Sequence, residues 1–377
     1  MTPLPTIKMI LLKLLKYLLI FGLLTAGAVY AFIRFHPVFG GTPDAASMAK
    51  IRASKAFDGE RFNNLEPTVL LTTDHKPSLI DWVVSMMTAP ADKNPQQPLP
   101  SEPFDATQLQ DGKFVWFGHS TLLFQTAGQR ILTDPVYYRA SPVPFFGGKP
   151  FAAVHTPRIV DLPAIDAVLL SHDHYDHLDY YAIKEIKDKA AHFYVPLGVK
   201  AHLQRWGVAD AKITELDWYE SAKLGNVSFT LAPARHFSGR KLDNRFSTLW
   251  GAWVIKSPDL SLFFGADGGY GRHFADIARR YAPFDLVMLE NGSYNQDWAQ
   301  VHEMPEETVR AARDLDATRL MPIHWAKFDL AYHPWTEPIE RLEKASANAP
   351  YALIMPKIGQ IFDLQNPPQE RWWKQVK

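Results

Sequence analysis

A short run of histidines and carboxylates at residues 171–177 contains His172, His174, Asp176 and His177, directly after an apolar, strand-like segment. Imidazole and carboxylate groups are preferred zinc ligands. His172 and His174 stand two positions apart, so on an extended backbone they project to the same side. Asp176 and His177 follow on the next turn, close enough to hold a second ion, as in two-metal hydrolases. The alternative interpretation is a run of solvated polar residues ahead of a helix.

Three further candidate ligands come later in the chain, each at the end of an apolar stretch with strand character. His236 follows a strand-like segment, Asp267 ends the run Leu262 to Ala266, and His324 ends the run Leu320 to Ile323. Strands that end at a common edge of a sheet bring their terminal residues close together. The pattern therefore predicts one metal site built from distant parts of the chain.

The histidine run is one of several sequence blocks that occur in a fixed order between Lys113 and Asp363. The others are Trp116-Phe117-Gly118-His119-Ser120-Thr121, Thr133-Asp134-Pro135, Ala234-Arg235-His236-Phe237-Ser238-Gly239-Arg240, Val301-His302-Glu303-Met304-Pro305-Glu306-Glu307 and Pro322-Ile323-His324-Trp325. Together they resemble the metallo-β-lactamase-fold hydrolases, in the branch that contains N-acylphosphatidylethanolamine phospholipase D and the bacterial ascorbate-phosphate lactonases. The resemblance implies an α/β fold, an αββα sandwich with metals at the loop-bearing edge of its two sheets.

The resemblance also implies the cofactors, two Zn²⁺ ions, although the same ligands are compatible with other divalent metals. The implied ligands are His172, His174 and His236 for one ion, Asp176, His177 and His324 for the other, and Asp267 as the bridging, catalytic carboxylate. Between the two ions a bound water would supply hydroxide near neutral pH.

The chain departs from the family pattern at two positions beside these ligands. Relatives usually carry Thr or Ser after the bridging aspartate, whereas this chain has Gly268 after Asp267. The hydroxyl that would support the bridging carboxylate is therefore missing. Lys327 stands where relatives often have a smaller residue, and we expect it to reshape the rim of the substrate site.

Other polar residues in the blocks have supporting roles by resemblance. His302 is a candidate catalytic residue, because its ordinary pKa suits protonation of a leaving alkoxide; a capping or packing role is the alternative. His119 is expected to support the site by hydrogen bonding, and Asp134 either bonds a ligand imidazole or shapes the turn at Pro135. Outside the blocks we interpret three histidines as ordinary surface or packing residues: His192, His202 and His273.

Short strands and helices alternate around these blocks. The clearest predicted strands are Phe114 to Phe117, Leu122 to Gln125 and Arg130 to Leu132, and the clearest predicted helices are Asp179 to Lys189, His273 to Tyr281 and Pro305 to Leu315. Alternation of this kind indicates helices that cover the faces of sheets.

The amino-terminal segment carries Lys8, Lys13 and Lys16 ahead of an uncharged apolar run, Tyr17 to Ile33. The run is close to the shortest that spans a bilayer as a helix. It predicts a signal anchor, or a signal peptide cleaved near Ala26-Gly27-Ala28. Because flanking lysines favour a cytoplasmic amino end, we expect an inner-membrane-anchored protein with a periplasmic catalytic domain, or export after cleavage.

The chain has 377 residues, 47% of them hydrophobic, which suffices for a sizeable core. We divide it into a leader (1–35), an extended strap or linker without identifiable chemistry (36–110), a catalytic domain (111–365) and a C-terminal tail (366–377). The 40 basic and 40 acidic residues are scattered, which argues against a nucleic-acid partner. Cysteine is absent from the sequence, which excludes disulfides and thiolate metal sites.

The substrate prediction depends on the leader and on the loop Ala140 to Gly148, in which Phe145 and Phe146 suit a lid for acyl chains. Both rings packing inward is the alternative. Together these features favour a zinc-dependent phosphodiesterase of phospholipase D type that cleaves N-acylphosphatidylethanolamine-like lipids by a metal-bridging hydroxide. Two other classes stay open: a lactonase or esterase acting on a small soluble substrate, and a non-catalytic metal-binding envelope protein. The oligomeric state is not predicted.

Overall fold

The computed structural model describes residues 4–73, 88–143, 147–241 and 243–376. Within these residues, fourteen strands form two sheets of seven strands each. The first sheet has the order β14-β1-β2-β3-β4-β5-β6, with β1 (Lys113–Trp116), β2 (Leu122–Thr126), β3 (Gln129–Thr133), β4 (Ile165–Leu169), β5 (Ala190–Pro196), β6 (Ile213–Leu216) and β14 (Ile361–Asp363). The second has the order β13-β12-β11-β10-β9-β8-β7, with β7 (Ser221–Leu224), β8 (Val227–Ala232), β9 (Ala252–Lys256), β10 (Ser261–Ala266), β11 (Leu286–Glu290), β12 (Arg319–Ile323) and β13 (Ala352–Leu353).

Both sheets combine an antiparallel half with a parallel half. Strands β14, β1, β2 and β3 pair antiparallel, and β3 to β6 pair parallel. In the second sheet β7 to β10 pair antiparallel and β10 to β13 pair parallel. Strands β8, β10, β11 and β12 thus run in one direction, so the loops that follow them leave the second sheet at the same edge.

The side chains of the first sheet alternate between two hydrophobic cores. Phe114 and Trp116 of β1 lie in the core between the two sheets, whereas Val115 points into the core beneath the outer helices. In β4, Leu169 and Val168 divide in the same way. This period of two is the geometry of a pleated strand covered on both faces. The layers are therefore helix, sheet, sheet, helix, which confirms the predicted αββα sandwich.

Helices flank the sheets on their outer faces, and two of them begin with strong local signals. Asp179 caps the helix Tyr180–Ile186 at its amino end, because its side chain accepts hydrogen bonds from the backbone N–H groups of Tyr181 and Ala182. Pro305 occupies the first turn of another helix, where its missing N–H costs nothing. In the described residues the α-helices are α1 (Leu4–Phe35), α2 (Ala45–Ala53), α3 (Tyr180–Ile186), α4 (Lys200–Arg205), α5 (His273–Tyr281), α6 (Pro305–Asp314) and α7 (Glu337–Ala345). Helix α5 has the predicted bounds, and α3 ends earlier than predicted.

Helix α1 is long and apolar enough over Lys8–Phe35, 28 residues, to cross a membrane, and it is not buried by the rest of the chain. This fits a membrane anchor or a signal sequence. The residues that directly follow this helix are hydrogen-bonded to the predicted catalytic domain. The Trp206 indole donates to the carbonyl of Pro37 (2.6 Å), and the Arg240 guanidinium donates twice to the carbonyl of Val38 (3.0 and 2.9 Å).

The two segments that flank the predicted catalytic domain also pack against it. In the strap, the Ser47 hydroxyl of α2 donates to the Glu215 carboxylate (2.5 Å). In the predicted C-terminal tail, Trp372 and Trp373 are fully buried. Their ring centroids lie 5.3 and 5.9 Å from that of Trp325. Both segments therefore contribute to the folded core and do not hang free of it.

Candidate metal centre

The candidate ligands lie on loops that leave β4, β8, β10 and β12 at one edge of the sandwich. The backbone turns sharply where two of these strands end. Ala266, just before Asp267, has φ of 52°, and His324 itself has φ of 65°. Residues other than glycine seldom adopt this left-handed conformation, which is commonest where a site must aim a side chain.

The first group consists of three imidazoles, each with a ring nitrogen within 4.8 Å of the other two. His172 Nε2 lies 2.9 Å from His174 Nδ1, and His236 Nε2 lies 3.2 Å from the same atom. Burial holds the pKa of His172 and of His236 well below the usual value. These rings are therefore neutral and keep a lone pair for a cation.

The second group contains Asp176, His177 and His324. His324 Nε2 lies 3.2 Å from Asp176 Oδ2, and His177 Nε2 lies 3.6 Å from the same oxygen. Burial opposes protonation of His324, but the charge of Asp267 and the hydrogen bond with Asp176 outweigh it and raise the pKa of His324 to about 10. The negative potential that holds this proton is equally suited to hold a metal cation.

Asp267 lies between the two groups. Its Oδ2 is 3.9 Å from His172 Nε2 and 3.8 Å from His236 Nε2 on one side, and 3.1 Å from His324 Nε2 on the other. Its Oδ1 is 3.1 Å from His177 Nε2. The structure thus places Asp267 where a bridging carboxylate would have to be.

The residues present fit a pair of divalent ions on their own geometry. In the part of the chain that the structure describes, His177 Nε2 and Asp267 Oδ1 are buried 3.1 Å apart, but neither makes a hydrogen bond of acceptable geometry to the other or to any other group. Buried polar atoms are rarely left unpaired, since each costs about 1–3 kcal/mol. A metal ion would satisfy both atoms, and it would also separate the imidazole nitrogens that now face one another. The donor set, nitrogen and oxygen without sulfur, suits zinc and similar ions.

Asp134 fixes the orientation of one candidate ligand from behind. It is fully buried, and its Oδ2 lies 2.8 Å from His177 Nδ1 while its Oδ1 accepts the backbone N–H of Ser171 (2.8 Å). A carboxylate that accepts from Nδ1 leaves Nε2 free of hydrogen and aimed at the metal. His236 is held similarly, because its Nδ1 donates to the carbonyl of Val301 (2.9 Å).

His119 lies beneath the second group. Its Nε2 is 3.1 Å from Asp176 Oδ2, and its ring centroid lies 4.0 Å from that of His324, with the two rings tilted by 39°. Burial lowers the pKa of His119 to about 3, so the neutral ring donates its Nε2 hydrogen to Asp176. This is the supporting position that the sequence predicts for His119.

His302 lies at the same edge, beside both groups. Its ring centroid is 5.1 Å from that of His236 and 5.5 Å from that of His324. Its Nδ1 is 2.6 Å from Oε2 of Glu290, a buried residue that the sequence analysis missed. Burial alone would lower the pKa of His302, but the Glu290 carboxylate raises it above the usual value. Glu290 ends the apolar strand β11, the same signal that identified Asp267.

Lys327 does not lie on the rim of the site, contrary to our expectation. Its side chain is buried, and its ammonium group donates to the carbonyls of Phe117 (2.8 Å) and Val136 (2.7 Å). The stem passes over Gly118, where an added Cβ would lie 3.2 Å from Lys327 Cδ. Burial lowers the pKa of Lys327 to about 7. Lys327 therefore ties together the loops that follow β1 and β3.

The strap, in which the sequence shows no identifiable chemistry, supports the site in the structure. Asn64 Oδ1 accepts the backbone N–H of His236 (3.0 Å), and Asn64 Nδ2 donates to the carbonyl of His236 (2.8 Å). Leu70 and Leu71 line the cavity above the ligands. Asn64 bonds only the backbone of His236, which lies 172 positions later in the chain. Such a contact leaves no pattern in the sequence, so the role of Asn64 was not predictable.

A cavity of about 360 Å³ opens above the two groups. Its floor is formed by His174, Asp176, Asp267, His302 and His324. Its upper walls are mainly apolar, and they include Leu70, Leu71, Phe237, Trp298 and Leu330 with one cation, Arg245. The cavity therefore offers apolar surface beside a cluster of polar candidate ligands.

The remaining sequence expectations concern residues away from the floor. His192 bonds Thr214 (2.8 Å), His202 lies 3.2 Å from Asp173 Oδ2, and His273 is buried at the start of α5. Among the described residues, none of these three histidines lines the cavity or belongs to a candidate ligand group. The predicted lid residues Phe145 and Phe146 lie outside the described residues.

An αββα sandwich with paired groups of histidine and aspartate at one edge of its sheets defines a metallo-hydrolase of the β-lactamase fold. Residues 129–325 match the family described as the beta-lactamase superfamily domain. The chain is 40% identical over 354 residues to a Mycobacterium tuberculosis protein, "Uncharacterized protein Rv0906", covering 89% of this chain and 93% of that one.

Two further similarities bear on the branch and on the fold. The Caenorhabditis elegans N-acyl-phosphatidylethanolamine-hydrolyzing phospholipase D 1 is 32% identical over 255 residues, 64% of this chain and 71% of that protein. The solved structure of Igni18, a metallo hydrolase from Ignicoccus hospitalis, matches with a TM-score of 0.52 at 20% identity, over 66% of this chain and 97% of that one; it supports the fold alone. The chain therefore belongs to the metallo-β-lactamase superfamily, in the branch that contains the N-acylphosphatidylethanolamine-hydrolysing phospholipases D. The predicted family is confirmed.

Proposed function

We propose that the protein is a zinc-dependent phosphodiesterase of phospholipase D type that hydrolyses N-acylphosphatidylethanolamine-like lipids. The observation that carries this proposal is the cavity, because its floor offers two sets of metal ligands and its walls are mainly apolar. Such walls favour a substrate with apolar chains beside its polar reacting group. The similarity to the C. elegans phospholipase supports the same substrate class.

Two zinc ions would be held by the ligands that the sequence implies. These are His172, His174 and His236 for one ion, Asp176, His177 and His324 for the other, and Asp267 between them. When bound, a pair of such ions lowers the pKa of water and neutralises charge on a phosphoryl oxygen.

The chain's own residues would orient the ions' ligands, bind the substrate and move one proton. Asp134 holds the His177 ring, and His119 donates a hydrogen bond to Asp176. Phe237 and its apolar neighbours would hold acyl chains and limit the access of water. His302, on the cavity floor, would protonate the oxygen of the leaving alcohol.

The membrane association of the protein is part of the proposal. Helix α1 would anchor the chain in the inner membrane with the catalytic domain on the periplasmic side, and cleavage of the leader would release an exported form. An anchored enzyme reaches lipid substrates without leaving the bilayer surface. A fusion of a reporter active only in the periplasm to the carboxyl end would test this orientation.

The catalytic proposal is tested with the full chain, purified in detergent and loaded with zinc. We expect it to convert N-acylphosphatidylethanolamine to phosphatidate and N-acylethanolamine, both measured by mass spectrometry. The His174→Ala variant should lose this activity, whereas His192→Ala, which alters a histidine away from the cavity, should keep it. Turnover of small lactones but of no phosphodiester would replace the proposal with a lactonase. Bound metal without any hydrolysis would replace it with a structural role.

A further inference from the structure

A permanent cation stands in the mainly apolar wall of the cavity. Among the described residues that line the cavity, Arg245 is the one lysine or arginine, and it shares this wall with Leu71 and Phe237. The side chain of Arg245 is exposed to solvent, and it forms no ion pair or hydrogen bond within the part of the chain that the structure describes. Its guanidinium group is therefore available to a molecule that enters the cavity.

The other two arginines on the same loop, between β8 and β9, are hydrogen-bonded to distant parts of the chain. Arg235 donates to the hydroxyl of Thr68 in the strap (3.0 Å). Arg240 donates to the carbonyl of Asp173 in the candidate metal-binding loop (2.7 Å). Both residues thus hold the fold together. Arg245 has no such role among the described residues, which favours a role toward a ligand.

The loop holds the backbone of Arg245 from both sides. The side chain of Asn244, the residue before it, accepts the backbone N–H of Arg240 (3.1 Å). Phe246, the residue after it, has φ of 63°, a strained conformation that is frequent at ligand sites. The Phe246 carbonyl accepts the backbone N–H of Phe62 from the strap (2.9 Å). The position of Arg245 at the cavity wall is therefore set by the fold of the loop.

The charge of an N-acylphosphatidylethanolamine does not account for a cation at this wall. Its phosphodiester carries a single negative charge, which would lie at the floor beside the candidate metal ligands. N-acylation turns the headgroup amine into a neutral amide, and the diacylglycerol part bears only neutral esters. An apolar chain that covered Arg245 would strip water from an unpaired charge, which is unfavourable. A second anionic group on the substrate would pair with the guanidinium and offset this penalty.

We propose that Arg245 is a specificity-determining residue that selects lipid phosphodiesters with a carboxylate on the leaving alcohol. The planar guanidinium matches a carboxylate through two parallel N–H···O bonds. The leaving alcohol is the part that can carry this group, since the diacylglycerol part has no ionisable group. This inference rests on the proposed phosphodiesterase function and deepens it, because it narrows the substrate class to lipids such as N-acylphosphatidylserine.

Hydrolysis of such a lipid balances with water alone. The oxygen of water forms a bond to phosphorus, and the bond from phosphorus to the serine oxygen breaks. One hydrogen of the water ends on that serine oxygen. The products are phosphatidate and an N-acylserine, whose carboxylate is unchanged by the reaction.

The first test compares two lipids that differ by one carboxylate, in the same detergent micelles and with the zinc-loaded full chain. N-acylphosphatidylserine carries this group, and N-acylphosphatidylethanolamine with the same acyl chains lacks it. We expect the wild type to favour the serine lipid by at least about tenfold in kcat/KM, mainly through KM, which is the size of a hydrogen bond to a charged group. Equal kcat/KM values for the two lipids would overturn the proposal.

The substitution Arg245→Gln removes the charge and should abolish this preference. Arg61→Gln is the matched control, because Arg61 is also exposed and its guanidinium lies 5.8 Å from the ring centroid of Phe246, next to Arg245, but it does not line the cavity. This control should keep the wild-type preference. If Arg245→Gln lowered kcat/KM equally on both lipids, Arg245 would act on the phosphodiester that they share, and the inference would be wrong.

A binding measurement tests the same contact without turnover. N-octanoylserine and N-octanoylethanolamine are soluble counterparts of the two leaving alcohols, and isothermal titration calorimetry gives their affinities for the zinc-loaded full chain. The serine compound should bind the wild type at least about tenfold more tightly, and Arg245→Gln should bind both about equally. A carboxylate that bound the metal ions instead would keep its advantage in Arg245→Gln, which would overturn the inference. Absence of hydrolysis of both lipids would count against the proposed function alone, since this binding preference does not depend on turnover.

Discussion

The substitution Asp134→Asn tests how the second metal group is oriented. Asp134 is fully buried and accepts hydrogen bonds from His177 Nδ1, from the Ser171 hydroxyl (2.5 Å) and from the Ser171 backbone N–H. Asparagine has almost the same shape but offers a single acceptor oxygen. If that oxygen keeps the bond to the Ser171 backbone, the amide NH₂ faces His177 Nδ1.

An NH₂ group in that place reverses the tautomer of the imidazole. His177 Nδ1 must then accept, so the hydrogen moves to Nε2, the atom that lies 3.1 Å from Asp267 Oδ1. A ring nitrogen that carries hydrogen cannot bind a metal. If the amide turns the other way, its NH₂ opposes the N–H of Ser171, and one buried donor is left unpaired. Loss of such a supporting partner typically weakens metal affinity about 10- to 100-fold, or about 1.4 to 2.7 kcal/mol.

The assay is a zinc competition titration with a coloured chelator, which resolves the two binding events. We expect the second site of Asp134→Asn to weaken while the site of His172, His174 and His236 keeps its affinity. Asp166→Asn is the matched control, since Asp166 also accepts a backbone N–H, that of Arg130 (2.8 Å), but lies away from the ligands. Two sites of unchanged affinity in Asp134→Asn would refute the assigned orientation of His177.

Two further predictions concern residues that support the site from outside the ligand set. Asn64→Ala removes both hydrogen bonds to the His236 backbone, so zinc affinity should fall about tenfold or more in the same titration, whereas Asn63→Ala, whose side chain bonds Asp58 instead, should leave it unchanged. Burial lowers the pKa of Lys327 to about 7, so between that pH and about 10, near the ordinary pKa of lysine, the unfolded chain binds a proton that the folded chain does not. The unfolding free energy of the wild type relative to Lys327→Met should therefore rise by about 1.4 kcal/mol per pH unit between pH 7 and about pH 10 and stay flat below pH 7, as measured by urea unfolding; a flat difference throughout would contradict this.

The positions of the candidate ligands were predictable because they follow a simple physical pattern. Each ends an apolar strand, and strands that run in the same direction release their loops at the same edge. The order of β8, β10 and β12 in the second sheet brings His236, Asp267 and His324 together for this reason. The αββα fold was predictable for a related reason, since alternating strands and helices leave few ways to cover two sheets.

The supporting residues were harder to predict, for reasons that differ between them. Glu290 carries the same signal as Asp267, yet it lies outside the sequence blocks that carry the resemblance, and its partner His302 lies on another loop. Asn64 acts on a backbone far along the chain, and backbone contacts leave no mark in the side-chain pattern. The type and position of Lys327 indicated an exposed charge, but its long apolar stem fits over Gly118 and carries the ammonium group inward.

The strap also connects helix α1 to the candidate metal-binding loop through one buried side chain. Arg240 donates to the carbonyl of Val38 in the strap, and its Nη1 donates to the carbonyls of Asp173 (2.7 Å) and Leu178 (2.8 Å), which bracket His174, Asp176 and His177. A buried guanidinium that lost one of these carbonyls would leave donors unpaired, so the three contacts support one another. Because a cleavage near residues 26–28 would spare Val38, both the anchored and the exported form would keep this support. The sequence that holds the ligand loop therefore begins only where helix α1 ends.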